Sequence, residues 1–264
     1  MASPDIYIVG VGIRGDQMTP EVEKAIRCSA TVFYVAQGVV GKHLEKLRPR
    51  RVKDLAPFYR EGVSRLQSYD RMSATVLASA LEHPPVTFAV YGHPLIYVYP
   101  SSQILFAASW LGLSVKLLPG VSSLDCILID LGLDPAYYGL QMYEATELLV
   151  RRRPLQTDVP CLIWQVGSTE VAYYTKRETT AEQLIGLQNH LLTFYPANHA
   201  VTAVFSSPLS GVSSTLRKFP LSEMSSNHAL LHQGVTLYIP PVEIRATANV
   251  ELLQSLEKQS HDKA

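Results

Sequence analysis

Three times this chain runs a short apolar segment straight into a glycine stop. Ile6-Tyr7-Ile8-Val9 enters Gly10-Val11-Gly12, Val86-Thr87-Phe88-Ala89-Val90 enters Tyr91-Gly92-His93-Pro94, and Lys116-Leu117-Leu118 enters Pro119-Gly120-Val121-Ser122-Ser123. Short segments rich in β-branched and apolar side chains read as buried strands. Glycine then opens a backbone conformation closed to other residues and lets another group approach the main chain, while proline fixes φ and removes a donor. In an open α/β sheet, ligands bind outside the carboxyl ends of the strands. Three such exits predict one shared small-molecule site.

Between the exits the pattern is helical. Thr19 and Pro20 read as the N-cap and first residue of a helix to residue 29, followed by a strand over 31–35 and a polar, helix-like stretch to 47. Residues 54–62 look irregular. Helices are expected over 64–82 and 101–111, a strand over 114–118, and a further apolar helical segment over 125–131. Strands alternating with helices predict an α/β fold with a mainly parallel N-terminal sheet and flanking helices. The second half reads differently. A strand over 160–166, a helix over 180–194, and strands over 200–205 and 236–239, the last stopped by Pro240-Pro241, predict a mixed sheet with helices. The expected division is an N-terminal lobe over 1–120, a C-terminal lobe over 121–242 and a peripheral tail over 243–264. The pattern changes between 140 and 160, near the basic run Arg151-Arg152-Arg153.

Charge and composition exclude several classes. The 23 basic and 23 acidic side chains cancel, so bulk electrostatics offer nucleic acid no attraction. The first residues lack a basic and apolar leader pattern, and no apolar run approaches the roughly 18 residues of a membrane helix. The expectation is a cytoplasmic protein that binds neither membrane nor nucleic acid. Cys28, Cys126 and Cys161 are too scattered for a disulfide framework or a zinc site, and no metal is expected.

The three exits, in this order and spacing, resemble the tetrapyrrole-methylase superfamily of S-adenosylmethionine-dependent (class III) methyltransferases. Gly10-Val11-Gly12 looks like that family's opening loop, Tyr91-Gly92-His93-Pro94 like its Gly-Asp/His-Pro loop, and Pro119-Gly120-Val121-Ser122-Ser123 like its Pro-Gly-Val/Ile-Ser loop. The fold implied is the two-lobed one of that superfamily. Narrower features are similar to the borosin peptide α-N-methyltransferases: Tyr97, the run Asp130-Leu131-Gly132-Leu133-Asp134-Pro135, Glu144-Ala145-Thr146-Glu147-Leu148-Leu149, and Ile163-Trp164-Gln165-Val166-Gly167. This resemblance spans roughly residues 5–241 and implies methylation of backbone amide nitrogens in a ribosomally made precursor peptide. Fungal members carry that peptide as a C-terminal extension. The chain here resembles the split arrangement, with the precursor supplied in trans to a homodimer, or to a heterotetramer with two precursor chains. Tyr137, Tyr138, Tyr173 and Tyr174 are aromatics expected at an interface. A tetrapyrrole methyltransferase of the precorrin or uroporphyrinogen type is the alternative, and an idle member acting as a scaffold is a third reading.

A peptide nitrogen shares its lone pair with the carbonyl and is a poor nucleophile. Methylating it requires removal of the N–H proton and donors for the charge that moves onto oxygen. Arg65 and Tyr69 lie four apart, on one face of the expected helix. Spacing alone favours a surface pair on a helix. The resemblance assigns the catalytic cluster to Tyr59, Arg65 and Tyr69, with Tyr91 at the strand exit beside the substrate amide or the cofactor carboxylate. A fixed guanidinium is expected to lower a neighbouring phenol's pKa. By the same resemblance the S-adenosylmethionine site comprises Gly12, Tyr91, Gly92, His93, Ile96, Tyr97, Ser122, Ser123 and Gln165. His93 reads equally as a capped loop histidine, Ser122 as a helix N-cap, and Gln165 as a turn residue. Arg151-Arg152-Arg153 is either solvated surface or a guide for an acidic leader.

Overall fold

The computed structural model describes residues 3–35, 39–47 and 49–261. Its first sheet contains β1 (Ile6–Gly10), β2 (Thr31–Val35), β3 (Val52–Asp54), β4 (Val86–Val90) and β5 (Val115–Leu118). All pairs are parallel, in the order β3-β2-β4-β1-β5. β4 is buried at every position, as a strand covered on both faces must be.

Helices α1 (Pro20–Cys28) and α2 (Val39–Lys46) cover one face; α3 (Arg65–Glu82) and α4 (Tyr99–Trp110) cover the other. The alternation along β1 explains the division. Ile6 and Ile8 pack with Phe33 and Phe88 against Met72 and Val76 of α3 and Ile104 of α4. Val9 packs with Val32 and Ala89 against Val22 and Ile26 of α1 and Leu44 of α2. α1 starts as its sequence dictates, with Thr19 Oγ1 accepting from Val22 N at 3.3 Å.

Helix α5 (Ser123–Leu131) leaves the first sheet, and α6 (Pro135–Tyr138) leads into the second. That sheet holds β6 (Gln141–Glu144), β7 (Cys161–Trp164), β8 (Ala200–Phe205), β9 (Thr215–Pro220) and β10 (Thr236–Ile239), ordered β6-β7-β10-β8-β9. Only β6 and β7 run parallel, so the sheet is mixed, as expected. α7 (Ala145–Val150) and α8 (Ala181–Leu192) cover one face through Leu148, Leu184, Leu187 and Leu191. On the other face Leu162, Trp164 and Val204 pack on Ile127 of α5. The tail forms an exposed helix, α9 (Val250–His261). No helix among the described residues is long and apolar enough to cross a membrane.

Three differences from the sequence reading have physical causes. β3, which ends at the first residue of the stretch read as irregular, and β6 and β9 lie where no strand was expected; all three are edge strands with little burial. β7 stops at Trp164 because Gln165 adopts a left-handed backbone, φ +56°. α4 begins two residues early, at Tyr99, with Pro100 accommodated in its first turn.

Candidate active site

The three glycine loops meet in main-chain contact. Val11 N donates to Val90 O at 2.9 Å, and Gly92 N donates to Gly12 O at 3.0 Å. A Cβ on Gly10 would lie 2.4 Å from Gly92 O and 2.7 Å from Gly120 N, closer than any side chain permits. Only glycine allows this junction. Gly92 itself needs glycine for a different reason, its φ of +72°.

Beside the junction lies a cavity of about 280 Å3 between the two lobes. The first lobe contributes Ile13, Tyr91, Gly92, His93, Ile96 and Tyr97. From the second come Ser122, Ser123, Ile127, Trp164, Gln165 and the strand ends at 204–206 and 233–236. Eight of the nine residues assigned to the cofactor by resemblance therefore line one cavity; Gly12 does not, and instead pairs with Gly92 behind it.

Local bonds fix several of these groups. His93 Nδ1 accepts from Leu95 N at 3.2 Å, which places the neutral ring's proton on Nε2. Ser122 N and Oγ each donate to Asp125 Oδ2 at 2.6 Å, in a capping box at the start of α5. The Ser122 amide is thus committed to Asp125 rather than free for a ligand anion. Trp164 Nε1 is buried without a hydrogen-bond partner. Its ring lies tilted against Tyr97, with centroids 5.3 Å apart. Tyr97 and Gln165 both hold φ near +56°, a conformation costly for side chains of this size.

A smaller cavity, about 160 Å3, is lined by Tyr59, Tyr69, Tyr91, Tyr97 and Tyr99 over a floor of Met72 and Phe88. Tyr59 and Tyr69 meet edge to face at 6.1 Å, and Tyr69 meets Tyr99 at 5.8 Å. Burial pushes the Tyr59 phenol well above its ordinary range; Tyr69 adds to this, and the Arg65 guanidinium pulls in the opposite direction. The expected lowering by arginine is therefore present but outweighed by desolvation. Burial likewise pushes Tyr91 and Tyr97 up to about 12, with the Glu144 charge adding at Tyr97. Arg65 lines none of these cavities. It opens α3, its N donating to Ala172 O at 3.0 Å.

The third space is an open groove of about 650 Å3. Leu95, Val98, Met142 and Leu148 give it apolar walls, with Tyr69, Tyr97, Tyr99 and Gln165 along its inner side. Glu144 Oε2 caps α7 by accepting from Glu147 N at 2.7 Å, and Glu147 pairs with Arg151 at 2.6 Å. Of the basic run only Arg153 lines the groove. Tyr97 and Val98 border all three spaces. Sequence reasoning missed Trp164, Tyr99 and Met142 as lining residues, together with Gly234 and Thr236. Two of these carried a signal: Trp164 stands in a run that supports the family resemblance, and Gly234, just ahead of β10, is a glycine at a strand end.

The chain is similar to fungal proteins in which a methyltransferase and a peptide precursor are fused. It is 29% identical to the methyltransferase/omphalotin A precursor of Omphalotus olearius over 96% of this chain and 61% of that protein. It is 32% identical to a type I borosin precursor fusion of Gymnopilus junonius over 90% of this chain and 57% of that one. The chain thus spans about three fifths of these relatives' length. Among solved structures it shares the fold of uroporphyrin-III C-methyltransferase from Thermus thermophilus, with a TM-score of 0.64, 16% identity, and coverage of 89% and 93% of the two chains. Residues 5–205 match the tetrapyrrole (corrin/porphyrin) methylases across both lobes and all three glycine loops, and the chain belongs to that family.

Proposed function

We propose that this protein is an S-adenosylmethionine-dependent methyltransferase that methylates backbone amide nitrogens of a peptide supplied as a separate chain. One observation carries this reading. A narrow cavity at the glycine junction and a long groove with apolar walls share Tyr97, Val98 and Gln165, and phenolic hydroxyls cluster where they meet.

The lining of the junction cavity suits the cofactor's chemistry. Ile13, Ile127, Val204 and Val235 suit an aromatic base, and bare main chain at Gly92 allows close approach. Bound there, S-adenosylmethionine supplies an electrophilic methyl group, so the protein's task is the nucleophile. Gln165, Tyr97 and His93 would hold the cofactor. Tyr91, which borders both the junction cavity and the aromatic one, would orient the amide. The Tyr59–Tyr69 pair would remove the amide proton, with Arg65 favouring the charged phenol. The apolar groove walls favour aliphatic residues in the substrate.

A polycarboxylate macrocycle would need cations around it; this groove offers Arg153 against Glu144 and Glu147. A second copy of the chain is the proposed partner, supported by exposed aromatics at Phe106 and Trp110 of α4 and at Tyr137. Light scattering that gives the mass of a monomer at micromolar concentration would remove the dimer. For the reaction itself, the purified protein is incubated with S-adenosylmethionine and Val/Ile-rich peptides and analysed by tandem mass spectrometry. Added methyl masses on backbone nitrogens of the added peptide are expected. Methylation only of a uroporphyrinogen, or of the chain itself, would overturn the reading.

A further inference from the structure

The strap that leaves the junction cavity reaches the phenolic cluster. From Gln165 the chain makes a tight helical turn over Val166–Ser168, then passes Glu170, which is also left-handed, with φ +60°. It next runs antiparallel to the segment that enters α3. Gly62 N donates to Tyr174 O at 2.9 Å, Tyr174 N to Val63 O at 2.8 Å, and Arg65 N to Ala172 O at 3.0 Å. Glu61 closes the far end, accepting from Thr175 Oγ1 at 2.6 Å and Lys176 N at 3.0 Å. The strap thereby lays the Tyr174 ring face-on against Tyr59, with centroids 5.0 Å apart and planes 21° from parallel. Tyr59 is thus stacked by Tyr174 from the second lobe and meets Tyr69 edge to face.

We infer that Tyr174, carried by this strap from the junction cavity, is a positioning residue for the Tyr59 phenol. The inference rests on the reading of Tyr59 as part of the proton-removing cluster. A side chain in a packed site is fixed only where its neighbours leave one rotamer, and Tyr174 covers a face of Tyr59 by stacking while Tyr69 meets it edge to face. The groups acting on the Tyr59 phenol are Tyr69 and Arg65 from α3 and Tyr174 from the strap. Stacking needs the ring alone, so the Tyr174 hydroxyl is dispensable. Misplacement of a reacting group by about 1 Å costs on the order of 10²-fold in rate.

Two readouts test this. In single-turnover methylation of a saturating Val/Ile-rich synthetic peptide, Tyr174→Ala should be slower by about 10²-fold with unchanged S-adenosylhomocysteine affinity. Tyr174→Phe should restore the rate, and Tyr173→Ala, the same truncation one residue away, should leave it unchanged. The second readout needs no substrate. With 3-fluorotyrosine at position 59, the ¹⁹F titration should move down towards the ordinary phenol value in Tyr174→Ala, because burial that raises it is lost, and by a clearly smaller step in Tyr174→Phe, which keeps the covering ring and loses only the charge of the Tyr174 phenol. An unchanged rate or an unchanged titration in Tyr174→Ala overturns the inference. So does an equal loss in Tyr174→Phe, which would assign the effect to the hydroxyl, or in Tyr173→Ala, which would assign it to the strap as a whole. If the wild-type protein methylates no peptide, the proposed function fails and the fluorine titration alone decides on Tyr174.

Discussion

At the scale of single residues, two kinds of glycine and two kinds of tyrosine divide the site. Gly10 is glycine because main chain from two other loops presses on it, whereas Gly92 is glycine for its φ; the nearest atom to a Cβ there is Ile13 Cδ1 at 3.5 Å. Gly92→Ala should therefore fold, at a cost of about 1–2 kcal/mol in urea denaturation. Gly10→Ala should cost more, since no flexible side chain can yield to it. Among the tyrosines, Tyr59 and Tyr69 are proposed to move the proton, and Tyr97 to shape the boundary between cavity and groove. Tyr69→Phe and Arg65→Ala should each lose about 10²-fold or more in single-turnover methylation while keeping cofactor affinity. The pH dependence follows from the direction of the Tyr59 shift. Burial holds the phenol above its ordinary value, so its neutral form dominates through neutrality and the rate should climb as pH rises. Arg65 pulls that value down, so Arg65→Ala should move the climb to higher pH. A flat rate between neutrality and the alkaline limit of stability would exclude Tyr59 as the base.

At the scale of elements, the capping box shows how a loop becomes a rigid wall. Ser122 and Asp125 satisfy one another across the first turn of α5, and Ser122 and Ser123 then face the junction cavity without freedom to move. Asp125→Ala should cost about 1 kcal/mol of stability, read from the denaturation midpoint, and should weaken S-adenosylhomocysteine binding by loosening that wall. The serine cap of this element was legible in the sequence because a cap acts locally, whereas its partner Asp125 was not singled out. β1, β4 and β8 were legible too, as apolar runs between breakers. β9 was not. Its Thr215, Leu216, Arg217 and Lys218 are all exposed, and only pairing with β8 makes the segment a strand. Edge strands draw their order from a neighbour's backbone, which leaves no mark in their own side chains. The groove residue Met142 was hidden for the same reason, since it belongs to the edge strand β6. Tyr174 lay beyond reading as well. It looked like an interface aromatic, and its stacking on Tyr59 depends on a contact across more than a hundred residues of chain.

At the scale of the whole molecule, the junction cavity is walled by both lobes, which has a thermodynamic consequence. Gly92, His93 and Ile96 come from the first sheet's loops, while Trp164, Gln165 and Thr236 come from the second sheet. A ligand that touches both walls binds only when the lobes are assembled, so its binding free energy stabilises the pair rather than either lobe. The strap bonds from Gly62 and Arg65 to Tyr174 and Ala172, and those of Glu61 to Thr175 and Lys176, join the lobes at a second place. Calorimetry should therefore show the two lobes unfolding together. S-adenosylhomocysteine at a hundredfold excess over its Kd contributes about 2.7 kcal/mol to the native state. For a chain of this size that corresponds to a rise in Tm of roughly 5 to 10 °C. Gln165→Ala, on the second lobe, and Gly92→Val, on the first, should each diminish that rise. Two resolved transitions, of which the ligand moves only one, would show that the site belongs to a single lobe and would remove the shared cavity as the cofactor site.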